Sequence, residues 1–339
     1  MPAIVSLSAL SISSVSAEEF NWPKPPTGYD KAAANIPKGT LSAVIQYPTR
    51  SNNTRPVRIY TPPGFSKDRP EKYPVLYLHH GVGGNQDAWT SQSGSTNEGY
   101  ADKIMDYLYA QDSLKVTPMI VVMPFGSIDG NWDKYEDVLF KDLMPYVEAN
   151  YNAAPEARMR AMAGLSWGAG QTLTYAYRHL DAINWIGAFS PAPNAGTPAG
   201  NIKDIAKVKS DVYLNYVAAG TNEENPYLTN SRAYHKFLTD NGVTKVILQV
   251  ETGLQHEREN WDRQLYHFAP RLFKFSTVGI SDKGSAQNRA TTWAGKGLGF
   301  SASASQILFK GYSSNKAVIY SMDGKKLVDF TTAMPSGKR

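Results

Sequence analysis

One short motif constrains the fold of this chain more than any other feature: Gly-x-Ser-x-Gly at residues 164–168, with Ser166 at its centre. The residues before it, 158–163, are predicted to form a short strand, and residues 171–180 are predicted to form a helix. A sharp turn between a strand and a helix presents a serine hydroxyl at the top of a sheet, with a helix N-terminus behind it. The alternative is a Gly/Ser turn that only connects two elements.

Strands and helices alternate through most of the chain. Apolar runs and period-2 patterns predict strands at 41–47, 55–60, 75–80, 119–123, 185–189, 212–218 and 246–250. Helical periodicity predicts helices at 101–110, 137–151, 231–241 and 261–275. This alternation indicates an α/β class, with a mostly parallel sheet covered by helices on both faces and an antiparallel start.

The chain is predicted to have four parts. Residues 1–17 are apolar, uncharged and Ser-rich and end in Val15-Ser16-Ala17, so they resemble the remnant of a signal peptide; a disordered tail is the alternative. Residues 18–275 form the α/β domain, and 276–304 form a Gly/Ser-rich linker. Residues 305–339 form a small basic β-rich module, with an Asp-Gly hairpin turn.

The positive charge of the chain belongs to its C-terminal part. Residues 276–339 contain nine Lys and Arg and three acidic residues, so their formal net charge is +6. The whole chain has a formal net charge of +5, which leaves −1 for residues 1–275. Such a tail lacks the clustering of a nucleic-acid arm, so we expect no nucleic-acid partner and predict binding to a polysaccharide or a cell surface. No other stretch is apolar over the ~18 residues that a membrane span needs.

A serine nucleophile requires a base, and the base requires an orienting acid. On an α/β sheet of this kind these residues follow the order Ser, acid, His, each on a loop after a strand. His256 follows the predicted strand 246–250 and is the expected base. Glu223 follows the strand 212–218 and is the expected acid, with Glu224 as the alternate. The alternative is that Glu223 and Glu224 are loop carboxylates that only contact solvent.

Two backbone N–H groups are expected to form an oxyanion hole. One belongs to Trp167, directly after the nucleophile, and the other to Val82, in the Gly-rich loop after the strand 75–80. The side chains of Trp89, Trp132 and Trp261 are candidates to line an apolar substrate pocket, although tryptophans are often core residues.

No metal site and no cofactor are predicted. The chain has no Cys, which excludes disulfides and Cys-based metal sites. His79 and His80 are adjacent on a strand and therefore point to opposite faces, which disfavours a shared metal ion. We expect His80 to brace the Gly-rich loop instead. No Gly-Lys-Ser/Thr follows that loop, so a P-loop is disfavoured.

Several motifs together resemble a known family. They are Leu-Tyr-Leu-His-His-Gly-Val-Gly-Gly at 76–84, Ala-Gly-Leu-Ser-Trp-Gly at 163–168, Ala-Gly-Thr-Asn-Glu at 219–223, and His256 with Trp261 five residues later. In this order, across residues 20–275, they resemble the esterase-D-like α/β hydrolases. The most similar branch is carbohydrate esterase family one, which contains feruloyl and acetylxylan esterases.

Three positions depart from that family pattern. The family usually has Met where Trp167 stands, Gly where Ala169 stands, and Asp where Glu223 stands. The first departure changes the floor of the acyl pocket, and the last makes the acid assignment depend on the structure.

The resemblance implies an α/β-hydrolase fold, secretion, no cofactor, and release of acyl groups from plant cell-wall polysaccharide. The expected activity is hydrolysis of feruloyl esters of xylan through an acyl-enzyme on Ser166. Three alternatives remain open: an acetylxylan esterase with the same triad, an acyltransferase that passes the group to another sugar, and a non-catalytic polysaccharide binder.

Overall fold

The computed structural model describes residues 20–90, 99–127, 131 and 134–275, together with four strands farther along the chain. The predicted signal-peptide remnant at 1–17 lies outside the described residues. The chain divides into two compact units, Met1–Phe275 and Ser276–Arg339.

In the described part of the first unit, ten strands form one sheet. They are β1 Phe20–Asn21, β2 Thr40–Leu41, β3 Ile45–Pro48, β4 Thr54–Thr61, β5 Val75–His79, β6 Ile120–Pro124, β7 Arg160–Leu165, β8 Trp185–Phe189, β9 Leu214–Gly220 and β10 Val246–Glu251. Their order is β1-β10-β9-β8-β7-β5-β6-β4-β2, and β3 also pairs with β4. Neighbours from β1 to β6 in this order are parallel, whereas β4 pairs antiparallel with β6, β2 and β3.

Helices connect these strands. They are α1 Ala101–Tyr109, α2 Tyr135–Val138, α3 Met144–Asn150, α4 Trp167–Arg178, α5 Pro198–Asn201, α6 Ile205–Asp211, α7 Tyr227–Asp240 and α8 Arg258–Phe268. A π-helical turn, Leu139–Leu143, joins α2 to α3, and short 3₁₀ turns lie at Asp112–Leu114, Ala157–Met159, Pro193–Ala195 and Ala269–Arg271.

The sheet separates two hydrophobic cores because successive side chains of a strand point to opposite faces. In β5, Val75 and Tyr77 pack into one core and Leu76 and Leu78 into the other. Helices α1 and α8 cover the second core, while α3, α4 and α7 cover the first. The predicted α/β architecture, with a mostly parallel sheet, helices on both faces and an antiparallel start, is confirmed.

Several predicted boundaries were wrong. The predicted strand 41–47 is two short strands, β2 and β3. Helix α4 begins at Trp167 and not at 171, because the chain enters the helix directly from the serine turn. The predicted helix 137–151 is interrupted by the π-helical turn Leu139–Leu143. The last helix begins at Arg258 and ends at Phe268, where Ala269-Pro270 changes its geometry to a 3₁₀ turn.

The described residues of the second unit form two antiparallel strand pairs. β11 Leu298–Ser303 pairs with β12 Gln306–Gly311, and β13 Lys316–Tyr320 pairs with β14 Lys326–Thr331. β11 begins within the segment 276–304 that the sequence predicts as a linker. The predicted Asp-Gly hairpin turn lies outside the described residues, between the paired strands β13 and β14.

Candidate active site

Ser166 occupies a strained turn at the carboxyl end of β7, immediately before α4. Its backbone has φ 52° and ψ −116°, a region that residues with a side chain rarely adopt. Hydrogen bonds from both the N–H and the carbonyl of Ser166 hold the turn in place. The Ser166 N–H donates to the Phe189 carbonyl at 2.8 Å, and the Ser166 carbonyl accepts from Ala169 at 3.1 Å and Ala192 at 3.2 Å.

The two glycines of the motif are required by close backbone contacts. A Cβ on Gly164 would lie 2.6 Å from the carbonyl carbon of Gly168, and a Cβ on Gly168 would overlap the His80 carbonyl oxygen. Backbone atoms cannot move aside as side chains do. The motif therefore builds a turn that packs strand β7, helix α4 and the end of β5 against one another.

The predicted base and acid come together with this serine. His256 Nε2 lies 2.9 Å from Ser166 Oγ, and His256 Nδ1 lies 3.2 Å from Glu223 Oε1. The Glu223 side chain is fully buried, whereas that of His256 is one-quarter exposed. The adjacent Glu224 is exposed to solvent, so Glu223 is the carboxylate that contacts the base.

Backbone bonds join the loop that carries Glu223 to the loop that carries His256. The Thr221 N–H donates to the Glu251 carbonyl at 3.0 Å, and the Asn222 N–H donates to the Leu254 carbonyl at 3.0 Å. The Gly253 N–H donates in return to Thr221 Oγ1 at 2.8 Å. Because β9 and β10 are paired parallel neighbours, the two loops leave the sheet side by side.

Two aromatic rings hold the imidazole of His256. Tyr227, the first residue of α7, stacks on it at 3.7 Å between centroids with 19° between the planes. Trp261 meets it edge-on at 4.9 Å and 85°, and its own N–H donates to Ser190 Oγ at 3.3 Å. The sequence analysis missed Tyr227, since no motif distinguishes a tyrosine at a helix start from one that only packs.

His80 braces the Gly-rich loop after β5. Its Nε2 accepts from the Gly126 N–H at 3.0 Å, so in the neutral ring Nδ1 carries the proton and donates to the Gly81 carbonyl at 2.7 Å. Burial lowers the pKa of His80 to about 4, which keeps the ring neutral at pH 7.

The same loop comes close to the nucleophile. A Cβ on Gly81 would lie 3.2 Å from Ser166 Cβ, and Val82 follows with 69% of its surface exposed. Trp167, the other expected oxyanion donor, lies directly after Ser166 at the start of α4. Trp167 is therefore next to the serine along the chain, and Gly81, the residue before Val82, is next to it in space.

Three tryptophans were expected to line a substrate pocket, and they have different positions. The prediction for Trp89 was wrong, because this side chain belongs to the core. It is only 1% exposed, packs edge-on against Phe189, and donates its N–H to the His79 carbonyl at 2.9 Å. Trp261 is also buried and contacts the base. Trp132 lies outside the described residues.

The profile of the esterase family matches residues 49–266 of this chain, which contain Ser166, Glu223 and His256. The chain belongs to the esterase family. The resemblance drawn from the motifs to the esterase-D-like hydrolases is thereby confirmed.

One curated relative of this esterase is an endo-1,4-beta-xylanase/feruloyl esterase of Xylanibacter ruminicola. It is 33% identical over 254 residues, which are 71% of this chain and 32% of that protein. The esterase thus spans about a third of the length of that relative.

Solved structures share the fold of this esterase. A CE1 ferulic acid esterase from Anaeromyces mucronatus has a TM-score of 0.60 at 22% identity and covers 73% of this chain and 95% of its own. The feruloyl esterase module of Clostridium thermocellum, an S954A mutant complexed with sinapinate, has a TM-score of 0.61 at 18% identity and covers 75% and 94%. Within the described residues, no helix of this esterase is both long enough and apolar enough to cross a membrane.

Proposed function

We propose that this esterase removes hydroxycinnamoyl groups, such as feruloyl groups, from plant cell-wall xylan by a serine acyl-enzyme mechanism. The observation that carries the proposal is the continuous chain of contacts from Ser166 Oγ through His256 to Glu223 Oε1. The substrate class is supported by the feruloyl esterase named among its relatives and structural neighbours.

In the first half of the reaction, His256 Nε2 takes the proton of Ser166 as Oγ attacks the ester carbonyl carbon. The buried carboxylate of Glu223 accepts a hydrogen bond from Nδ1 and stabilises the imidazolium ion that forms. The backbone N–H groups of Val82 and Trp167 donate to the developing oxyanion.

In the second half, the tetrahedral intermediate breaks the bond to the sugar oxygen, which leaves with the proton from His256 Nε2. A water molecule then gives a proton to the same nitrogen and attacks the acyl carbon bound to Ser166 Oγ. Collapse of this second intermediate releases the hydroxycinnamic acid and returns the proton to Ser166. No cofactor enters either step.

The deciding experiment compares Ser166→Ala with the unaltered esterase on methyl ferulate and on acetylated xylan. We expect ferulate release to fall by at least ~10⁴-fold in the variant, as for other serine triads. Hydrolysis that survives the substitution would contradict the mechanism.

The same assay separates the other candidates. Preferential deacetylation of xylan would identify an acetylxylan esterase, and acyl transfer to an added sugar acceptor would identify a transferase. Failure of Ser166 to react with a fluorophosphonate would favour a polysaccharide binder.

The proposed substrate also implies where the protein works. A cell-wall polymer cannot enter a cell, so we propose that the esterase is secreted. Fractionation of the producing cells, followed by N-terminal sequencing of the extracellular protein, tests this. Retention of the protein inside the cells would contradict it.

A further inference from the structure

Asn260 is a fully buried amide in the first turn of α8. Its Nδ2 donates to Glu223 Oε1 at 2.9 Å and to the Gln255 carbonyl at 3.0 Å. Its Oδ1 accepts from Gln264 Nε2 at 2.6 Å. One side chain therefore joins the loop of the acid, the loop of the base and helix α8.

The orientation of this amide is determined by its partners. Exchange of its nitrogen and oxygen would place Oδ1 against a carboxylate and a carbonyl, both of which can only accept hydrogen bonds. Both protons of Nδ2 are used in the observed orientation. Asn260 therefore donates to Glu223, and this assignment does not depend on how the Gln264 amide is oriented.

Glu223 depends on such a donor. Its carboxylate is withdrawn from water, and within the described residues Oε2 has no hydrogen-bond partner. Oε1 accepts from His256 Nδ1 and from Asn260 Nδ2. An ionised carboxylate in a buried site is costly unless donors replace the lost water, so the second donor stabilises the charged form.

Close packing at the start of the acid loop holds the amide in place. A Cβ on Gly220 would overlap the Leu254 carbonyl oxygen and would lie 2.9 Å from Asn260 Nδ2. The absence of a side chain at Gly220 thus leaves the space in which Asn260 reaches Glu223.

We infer that Asn260 is a positioning residue of this esterase, which fixes the Glu223 carboxylate against His256. The inference rests on the proposed function, because it gives Asn260 no contact with substrate and lets it act only through the acid. A Glu side chain has one more rotatable bond than an Asp side chain, so its carboxylate is less fixed by the backbone. A second tether offsets the added freedom and holds Oε1 towards Nδ1.

The first test measures kcat and KM of Asn260→Ala with methyl ferulate. We expect kcat to fall about 10- to 100-fold, by analogy with residues that orient the ligands of metal sites. KM should stay within about threefold, since no substrate contact is removed. The matched control is Asn241→Ala, which removes an exposed amide that bonds the Phe237 carbonyl at 2.8 Å at the other end of α7 from Tyr227. Its kcat should be nearly unchanged.

A double-mutant cycle separates positioning from general destabilisation. If Asn260 acts through Glu223, the variant Glu223→Ala/Asn260→Ala should be no slower than Glu223→Ala alone. The acid limb of the pH profile of kcat/KM should move to lower pH in Asn260→Ala, because the imidazolium ion loses part of its stabilisation. Factors that multiply in the double variant, together with an unmoved acid limb, would overturn the inference.

Two further variants keep the outcomes distinct. Asn260→Ser leaves a hydroxyl with which Gln264 can form a hydrogen bond. This variant replaces Asn260→Ala in the kinetic test if Asn260→Ala does not show a cooperative thermal unfolding transition. If Ser166→Ala retains activity, the proposed function fails whatever Asn260 does. If Ser166→Ala is inactive while a folded Asn260 variant keeps the original kcat, only the role of Asn260 is refuted.

Discussion

At the scale of single residues, the site depends on how the side chain of His256 is held from four sides. Ser166 and Glu223 contact its two nitrogens, and Tyr227 and Trp261 contact its face and its edge. The aromatic contacts matter because hydrogen bonds at both nitrogens still allow the ring to tilt. The negative face of a stacked aromatic ring also stabilises a cation, and His256 becomes one during the reaction.

Replacement of Tyr227 tests this role. Tyr227→Leu removes the stacked ring, and we expect kcat for methyl ferulate to fall about fivefold, which corresponds to the ~1 kcal/mol of an exposed cation–π contact. Tyr227→Phe keeps the ring and serves as the matched control with nearly unchanged kcat. Equal losses in the two variants would show that the hydroxyl, and not the ring, is what matters.

At the scale of elements, the turn from β7 into α4 is the part of the fold that presents the nucleophile. Its strain at Ser166 is maintained by the contacts of Gly164 and Gly168 with backbone atoms of β5, α4 and the chain around them. The turn can therefore exist only where these elements pack closely.

Gly168→Ala tests that requirement. The added methyl group would overlap the His80 carbonyl, so we expect the turn to shift, the free energy of unfolding to fall by about 1–3 kcal/mol, and ester hydrolysis to be nearly lost. Gly200→Ala is the control, because its new Cβ would meet side-chain atoms of Thr197 and not the backbone of another element. Thermal unfolding and turnover of both variants provide the measurement, and an active, stable Gly168→Ala would contradict the packing argument.

At the scale of the whole molecule, buried histidines make stability depend on pH. Burial lowers the pKa of His80 to about 4, and the unfolded chain titrates near 6.5. The unfolded state therefore binds a proton that the folded state does not, and stability is lost as the pH falls from about 6.5 to about 4. The expected loss from His80 is about 3 kcal/mol over that interval, and none arises above it.

Denaturant unfolding at a series of pH values checks this expectation. In His80→Gln, an amide oxygen can still accept from the Gly126 N–H, but no titrating group remains at this position. The stability of the variant should therefore decrease less steeply between pH 6.5 and pH 4 than that of the unaltered chain. Parallel curves would show that His80 does not contribute to the acid sensitivity.

Because the chain divides into two compact units, we expect the first unit to carry the ester hydrolysis and the second to carry binding to the polymer. Among the residues whose burial is described, every member of the two hydrophobic cores lies before residue 276, so we expect the first unit to fold without residues 276–339. We expect kcat on soluble methyl ferulate to remain within about twofold of the full chain, while retention on insoluble xylan or on cell surfaces decreases because the basic unit is lost. A truncated chain that binds the polymer as strongly as the full chain would refute a binding role for that unit.

The class of fold and the order of the residues that meet at Ser166 follow from the amino-acid sequence alone. Apolar runs that alternate with helical patterns indicate a parallel sheet, and the carboxyl ends of parallel strands share one edge, so Glu223 and His256 could be placed from their positions after β9 and β10. The bracing role of His80 was predicted as the alternative to a metal site, for a residue directly before the Gly-rich loop.

The neighbours that complete the site could be identified only from the folded structure. The choice between Glu223 and Glu224, the stacking of Tyr227 and the hydrogen bonds of Asn260 all depend on side-chain directions and distances between segments far apart in the chain. The burial of Trp89 is of the same kind, because composition does not reveal which tryptophans fill a core. The local sequence pattern indicates which face of a helix or strand is apolar. Contacts between side chains of different elements form only when all of these elements pack together.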